Sequence, residues 1–69
     1  MITVGERIRR TRERRNYTVI DLANSLGTTQ KVIYNIETDR TEADYKLLIG
    51  LSEKLKVSID YLLKGEYAE

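Results

Sequence analysis

The segment TTQKVIYN, residues 28–35, concentrates side chains that form hydrogen bonds. Gln30 and Asn35 carry amides, which donate and accept at the same time and so suit a partner with a fixed pattern of donors and acceptors. Lys31 adds an ammonium group and Tyr34 a phenol. The chemistry that this set predicts is recognition by hydrogen bonding. The alternative is an ordinary polar helix face in contact with water.

Composition argues against most catalytic and metal chemistry. The chain has no Cys and no His, which removes thiolate nucleophiles, imidazole bases and the usual zinc ligands. The sequence offers no nucleophile–base pair, metal-ligand set or phosphate-binding loop. We therefore expect neither an enzyme nor a bound metal or cofactor.

The length of 69 residues suits one small domain, residues 1–69, and its 41% hydrophobic and 33% charged residues are typical of a globular chain. No apolar run approaches the roughly 20 residues that a membrane-spanning helix needs, and the Arg-rich start lacks the apolar core of a secretion signal. A cytoplasmic protein is the resulting expectation.

Charge is distributed unevenly along the chain. Residues 6–15, ERIRRTRERR, contain six Arg and two Glu, a local charge of +4, although the whole chain is only +1. Such a basic run favours a polyanionic partner. The alternative is a solvated helix whose charges pair with one another, as the spacing of Glu6 and Arg10 allows.

The spacing of apolar residues and the capping residues predict five helices and no strand, so the fold is expected to be all-α. The segments are residues 3–15, 18–27, 29–37, 44–55 and 58–65, with a tail at 64–69. Asn16 and Gly27 are the expected left-handed residues that end the first two helices. The predicted core comprises Val4, Ile8, Leu22, Ala23, Leu26, Val32, Ile33, Ile36, Leu48, Ile49, Leu51, Leu55, Ile59, Leu62 and Leu63. Thr11 interrupts the first apolar stripe and should bond back to a carbonyl.

The stretch TVIDLANSLGTTQKVIYNIE, residues 18–37, resembles the helix-turn-helix of the lambda-repressor-like, or XRE, family of bacterial and phage regulators. The similarity extends over nearly the whole chain. The residues that match the family's spacing are Leu22, Ala23, Leu26, Gly27, Thr29, Gln30, Ile33, Ile36 and Glu37. The resemblance implies a compact five-helix domain whose helix-turn-helix covers residues 19–37. Ala23 should be small because the two helices cross closely there.

In that family the third helix enters the DNA major groove, so the resemblance implies base contacts by its exposed side chains. Gln30 or Asn35 could pair with adenine and Lys31 with guanine. Tyr34 could contact a thymine methyl group or a phosphate.

The resemblance also implies phosphate contacts and one structural ion pair. Thr29, Thr38 and Arg40 are the expected phosphate contacts around the third helix, together with Arg12 from the first. Arg12 is further expected to pair with Glu37 and so lock the first helix to the third.

Four departures from the family pattern alter this expectation. Val19 replaces a phosphate-binding Gln, and Ile20 replaces a polar residue, so the two could form an exposed apolar spot. Asp39 stands where a Gly is expected. In TDRTEAD, residues 38–44, Arg40 is the only cation, which predicts a weak grip on the DNA backbone and a shallow salt dependence.

The resemblance implies a sequence-specific transcriptional regulator, acting as a repressor, which binds double-stranded DNA as a homodimer on a pseudo-palindromic operator. Self-contact is expected from the C-terminal helix and tail, through Ile59, Tyr61, Leu62 or the segment KGEYAE. No small-molecule ligand is expected, and the source would be bacterial or phage.

Two other functions remain open. The chain could be a protein-interaction module of the anti-repressor or antitoxin type that docks through Val19 and Ile20. Attachment to a membrane surface through the Arg-rich helix is the second, and the absence of Trp and Phe argues against it.

Overall fold

A computed structural model describes residues 2–65, and over that range the chain forms five α-helices and no strand. The helices are α1 (Val4–Arg14), α2 (Val19–Ser25), α3 (Gln30–Glu37), α4 (Tyr45–Leu55) and α5 (Ile59–Lys64). This confirms the all-α prediction, and the predicted ends agree to within two residues.

Each helix begins after a polar residue whose side chain accepts a backbone N–H three residues further on, at 2.8–3.2 Å. These N-caps stabilise the helix starts because they satisfy N–H groups that have no partner inside the helix. The capping residues are Thr3, Thr18, Thr29, Asp44 and Ser58. Asn16 (φ 62°) and Gly27 (φ 67°) adopt the left-handed conformation after α1 and α2, as predicted.

One apolar core joins all five helices. α1 packs on α3 and α5, α2 packs on α3, and α4 packs on α5. The Thr11 hydroxyl lies in this core and donates to the carbonyl of Arg7 at 2.7 Å, as predicted, so its burial leaves no unpaired polar group. The buried apolar residues are Ile8, Leu22, Ala23, Ile33, Ile36, Leu51, Leu55, Val57 and Leu62.

Three residues predicted to be in the core lie at the surface instead. Val32 is 38% exposed, Ile49 37% and Leu63 42%. Ile49 is one residue away from the stripe that Leu48, Leu51 and Leu55 form, and one residue turns an α-helix by about 100°. Val32 and Leu63 likewise adjoin buried residues in sequence without sharing their face. Four other predicted core residues are only half-buried, namely Val4, Leu26, Leu48 and Ile59.

Gly5 lies where α1 makes its closest approach to α3. A Cβ atom on Gly5 would stand 2.3 Å from the carbonyl oxygen of Ile36 and 2.8 Å from that of Glu37. Because both obstacles are backbone atoms, no side-chain movement could relieve the overlap. Gly5 thus sets the distance between the first helix and the candidate recognition helix.

We predict that Gly5→Ala destabilises the domain by about 1–3 kcal/mol, since α1 must move away from α3. This loss should exceed the roughly 1 kcal/mol that alanine gains over glycine inside a helix. Urea unfolding followed by circular dichroism would measure it. Gly50→Ala is the matched control: its Cβ would meet only the flexible end of Leu26, at 2.9 Å. Equal effects of the two substitutions would contradict the prediction.

Candidate nucleic-acid interface

A tight turn fixes α3 against α2. Gly27 takes its left-handed conformation in open space, so glycine is favoured there by backbone geometry alone. The N–H of Thr28 then bonds to the carbonyl of Ala23 at 3.0 Å and closes the turn. Ala23 is 1% exposed, as expected for a small residue between two crossing helices. The turn therefore constrains the direction of α3 relative to α2.

The residues of α3 separate into an inner and an outer face. Ile33, Ile36 and Glu37 are buried against the rest of the domain. Gln30, Lys31 and Tyr34 are exposed, Tyr34 by 53%, whereas Asn35 is half-buried. Gln30 and Lys31 occupy the first two positions of the helix. The four predicted base-contacting side chains thus lie on one helix, and three of them are exposed.

Of the predicted phosphate contacts, Thr29 and Thr38 bracket α3. The Thr29 oxygen accepts the N–H of Val32 at 3.2 Å, which leaves its hydroxyl proton available to an acceptor. The Thr38 hydroxyl already donates to the carbonyl of Tyr34 at 2.8 Å. Arg40 is exposed, and its backbone N–H bonds to the carbonyl of Asn35 at 2.9 Å. Thr29 and Arg40 are consequently better placed than Thr38 to donate to a phosphate.

The ion pair expected between Arg12 and Glu37 is present and buried. Arg12 Nε donates to Glu37 Oε2 at 2.7 Å and Nη2 to Oε1 at 3.1 Å, while Nη1 donates to the carbonyl of Tyr17 at 2.8 Å. Arg12 is 8% exposed and Glu37 7%. The hydrogen bond to Glu37 raises the pKa of Arg12 above its usual range, against the opposing effect of burial. This geometry commits Arg12 to the interior, so a phosphate contact by its side chain has the least support among the predicted ones.

Asp39 has a structural role that the sequence did not indicate. It adopts the left-handed conformation (φ 62°) that its replacement of Gly implied. Its carboxylate accepts the N–H of Gly5 at 3.0 Å and the hydroxyl of Thr3. A negative charge at the start of α1 also interacts favourably with the helix dipole. Asp39 and Glu37 together tie the C-terminal end of α3 to both ends of α1.

Most of the arginines in the basic run contact groups within the domain. Arg9 lies 3.8 Å from Glu6 and 3.5 Å from Glu13, and Arg10 lies 3.5 Å from Glu6. Arg7 Nη1 donates to the carbonyl of Leu62 at 3.1 Å, near the C-terminal end of α5. The structure therefore favours the self-paired interpretation of residues 6–15 over a free polyanion site.

Arg14 makes a further contact within the domain. Its Nη2 donates to the hydroxyl of Tyr61 at 2.9 Å. This hydrogen bond is the main reason why the pKa of Tyr61 lies below its usual 10.0, since it favours the charged phenolate. Tyr61 is thereby held against α1.

Two of the predicted interaction surfaces need correction. Val19 is half-buried and packs against the core, so the expected apolar spot reduces to Ile20, which is 50% exposed. Leu62 is 0% exposed and cannot take part in the predicted self-contact. Residues 66–69 of the segment KGEYAE lie outside the described residues.

Residues 2–65 contain no cluster of acidic side chains arranged to hold a metal ion. Over the same range, no helix combines the length and the hydrophobicity that crossing a bilayer requires.

The sequence matches a known family model. A model described as a helix-turn-helix domain matches residues 5–68. An uncharacterized HTH-type transcriptional regulator of Bacillus subtilis, YqaE, is 41% identical over 65 residues, which are 94% of this chain and 56% of that relative. The chain therefore spans only part of a curated relative that it matches.

Two solved structures of similar shape are complexes with DNA. The P22 c2 repressor in complex with the synthetic operator 9T has a TM-score of 0.90 and 35% identity, and the match covers 96% of this chain and all of that one. The biofilm regulator SinR in complex with DNA has a TM-score of 0.81 and 26% identity, with 87% of this chain and 97% of that one covered.

Proposed function

Because the chain belongs to the lambda-repressor-like helix-turn-helix family, we propose that it is a sequence-specific DNA-binding regulator of transcription, acting as a repressor. One observation carries the proposal: Gln30 and Lys31 stand exposed at the leading end of a helix whose other face is buried. In a helix-turn-helix that inserts into the major groove, this end of the second helix reaches the base edges first.

Major-groove recognition requires side chains with fixed donors and acceptors on a rigid support. The amide of Gln30 can bond adenine N6 and N7 together, and the ammonium of Lys31 can donate to guanine O6 and N7. Tyr34 and Asn35 lie one turn further along and could contact the next bases or, for Tyr34, a thymine methyl group. The short turn before α3 and the buried Arg12–Glu37 pair behind it supply the rigidity.

A single domain of this size contacts only a few base pairs, so we propose that two copies bind a pseudo-palindromic operator with half-sites about 34 Å apart. The chain would act by binding and not as an enzyme, and without a small-molecule ligand. A bacterial or phage source and a cytoplasmic location are part of the same proposal.

Selection from a random DNA pool tests the function directly. The chain should enrich one short motif, repeated in inverted orientation with about 10 base pairs between the centres of the half-sites. Enrichment of no sequence above the starting pool would contradict DNA recognition. It would instead favour a protein-interaction module that docks through the exposed Ile20.

Arg40 provides a test of backbone contact. Each ionic phosphate contact contributes about 0.9 to the slope of log K against log salt concentration. Arg40→Ala should therefore lower that slope by about 1.8 on a two-site operator, with little change in the preferred sequence. Fluorescence anisotropy at several salt concentrations would measure it. Lys64→Ala, which removes one positive charge from α5, is the control, and equal slopes for the two variants would exclude Arg40 as a phosphate contact.

A further inference from the structure

α4 presents an outward face that none of the four other helices in residues 2–65 covers. Tyr45 is 73% exposed and Ile49 37%, on a helix whose Leu51 and Leu55 are buried. Lys46 and Glu53 are exposed on the same side. They are seven residues apart, close to two helical turns, and so lie nearly in line along the helix. The proposed DNA contacts use none of these side chains.

The charges on this face have no ion-pair partner among the residues that the structure describes. Among residues 2–65 the ion pairs all involve arginines of α1, namely Arg9, Arg10 and Arg12. Lys46 and Glu53 are placed symmetrically about a point between Ile49 and Gly50. If a second copy lay antiparallel across this point, each Lys46 would face the second copy's Glu53. Such an arrangement is self-complementary, which is the condition for a two-fold contact between identical surfaces.

The apolar part of the face is self-complementary as well. A groove lined by Leu26, Leu47 and Gly50 runs beside Ile49. Gly50 has no side chain, and the end of the Leu26 side chain lies beside it, 2.9 Å from where a Cβ would stand, so Gly50 and Leu26 together form the wall of this groove. In the antiparallel arrangement, the Ile49 side chain of one copy meets Gly50 of the other. Packing of a projecting side chain into a gap on the facing helix is the usual mode of helix–helix contact.

We propose that two copies of the chain associate through α4, packed antiparallel about a two-fold axis between Ile49 and Gly50. Two Lys46–Glu53 pairs flank the axis, and the Ile49 side chains fill the facing grooves. Tyr45 then lies opposite the second copy's Lys54, where its ring can accept a cation–π contact. This contact replaces the one predicted from the C-terminal helix. This association requires no DNA, so it can be tested independently of the proposed function.

One exposed helix face buries less area than a standard stable interface, and surface ion pairs contribute little each. The dimer is therefore weak, and its dissociation constant falls in the range of about 10 μM to 1 mM. Sedimentation equilibrium of the full chain without DNA, at concentrations spanning that range, measures it. Concentration-dependent amide chemical shifts should be confined to α4 and to the groove residues.

Charge reversal is the decisive experiment. Lys46→Glu and Glu53→Lys each turn two attractive pairs into repulsive ones, so each should weaken association by roughly tenfold. The double variant Lys46→Glu/Glu53→Lys restores opposite charges at both positions and should recover most of the affinity. Both residues are exposed, so circular dichroism should show unchanged folding. Asp60→Lys and Lys64→Glu are matched controls that make the same charge changes on α5.

Cross-linking tests the antiparallel orientation independently. The chain has no Cys, so single-cysteine variants report one position each. A mixture of Lys46→Cys and Glu53→Cys should form a mixed disulfide dimer faster than either variant forms its own.

Three results would overturn the proposal. The chain could remain monomeric throughout the concentration range. The double charge variant could fail to recover the loss caused by the single ones. Finally, the α5 controls could weaken association while the α4 variants leave it unchanged. That result would indicate that the two copies associate through the C-terminal helix α5.

Discussion

Glu37→Ala is expected to destabilise the domain by about 3–5 kcal/mol, because it leaves the Arg12 guanidinium buried without its countercharge. The two Arg12–Glu37 hydrogen bonds, at 2.7 and 3.1 Å, would be lost together. A chain of this length has a total stability of only a few kcal/mol, so much of the variant should be unfolded at 25 °C. Thermal and urea unfolding followed by circular dichroism would measure the loss.

Three further variants separate the buried charge from other effects. Glu42→Ala removes an exposed carboxylate and should change stability by less than about 0.5 kcal/mol. Glu37→Gln keeps the shape and one acceptor, and should fall between wild type and Glu37→Ala. Arg12→Met/Glu37→Leu removes both charges and should recover a large part of the stability, since no unpaired charge stays buried. Equal melting temperatures for Glu37→Ala and Glu42→Ala would contradict the role given to this pair.

Features determined by neighbouring residues could be predicted from the sequence. Three predicted helical segments begin at Thr18, Thr29 and Asp44, which are the caps in the structure, because a cap bonds an N–H only three residues away. Asn16 and Gly27 were identified as left-handed because few other residue types tolerate that backbone conformation. The helix order, and with it the exposed leading end of α3, followed from these local signals.

Features that depend on distant contacts could not be predicted in this way. Gly5 resembles any other helix residue in the sequence, yet it is required by carbonyl groups of α3 more than thirty positions away. The carboxylate of Asp39 accepts the N–H of Gly5, 34 residues away in the sequence, and no local sequence pattern predicts this hydrogen bond. Apolar spacing gives the direction of a buried stripe but not its width, which explains why Ile49 and Leu63 were misassigned.

The basic run shows the same limit for charges. Six arginines in ten residues suggested a polyanion site, but charge counting does not say which groups are already paired. Three of them donate to groups from distant parts of the chain. Arg7 donates to the carbonyl of Leu62, Arg12 to the carboxylate of Glu37 and Arg14 to the hydroxyl of Tyr61. The candidate interface therefore depends less on total charge than on a few groups at the start of α3.

Gln30→Ala and Lys31→Ala should produce the largest losses of DNA affinity. Each removes a contact worth about 1–3 kcal/mol of discrimination at one base pair. On a two-site operator the loss occurs twice, so the affinity for the selected sequence should fall by roughly 30-fold to more than 1,000-fold. Neither side chain is buried, so folding should be unaffected, and circular dichroism would verify this. Gel shifts on the selected operator would measure the loss.

The sequence dependence of the loss distinguishes base recognition from simple charge attraction. If Lys31 reads a guanine, Lys31→Ala should relax the preference at one position of each half-site and leave the other positions unchanged. If it only contacts phosphate, affinity should fall equally on all sequences. Lys64→Ala removes the same charge from α5 and should alter neither affinity nor preference. Unchanged binding by both Gln30→Ala and Lys31→Ala would leave the leading end of α3 without a role in recognition, because these are the groups that it presents.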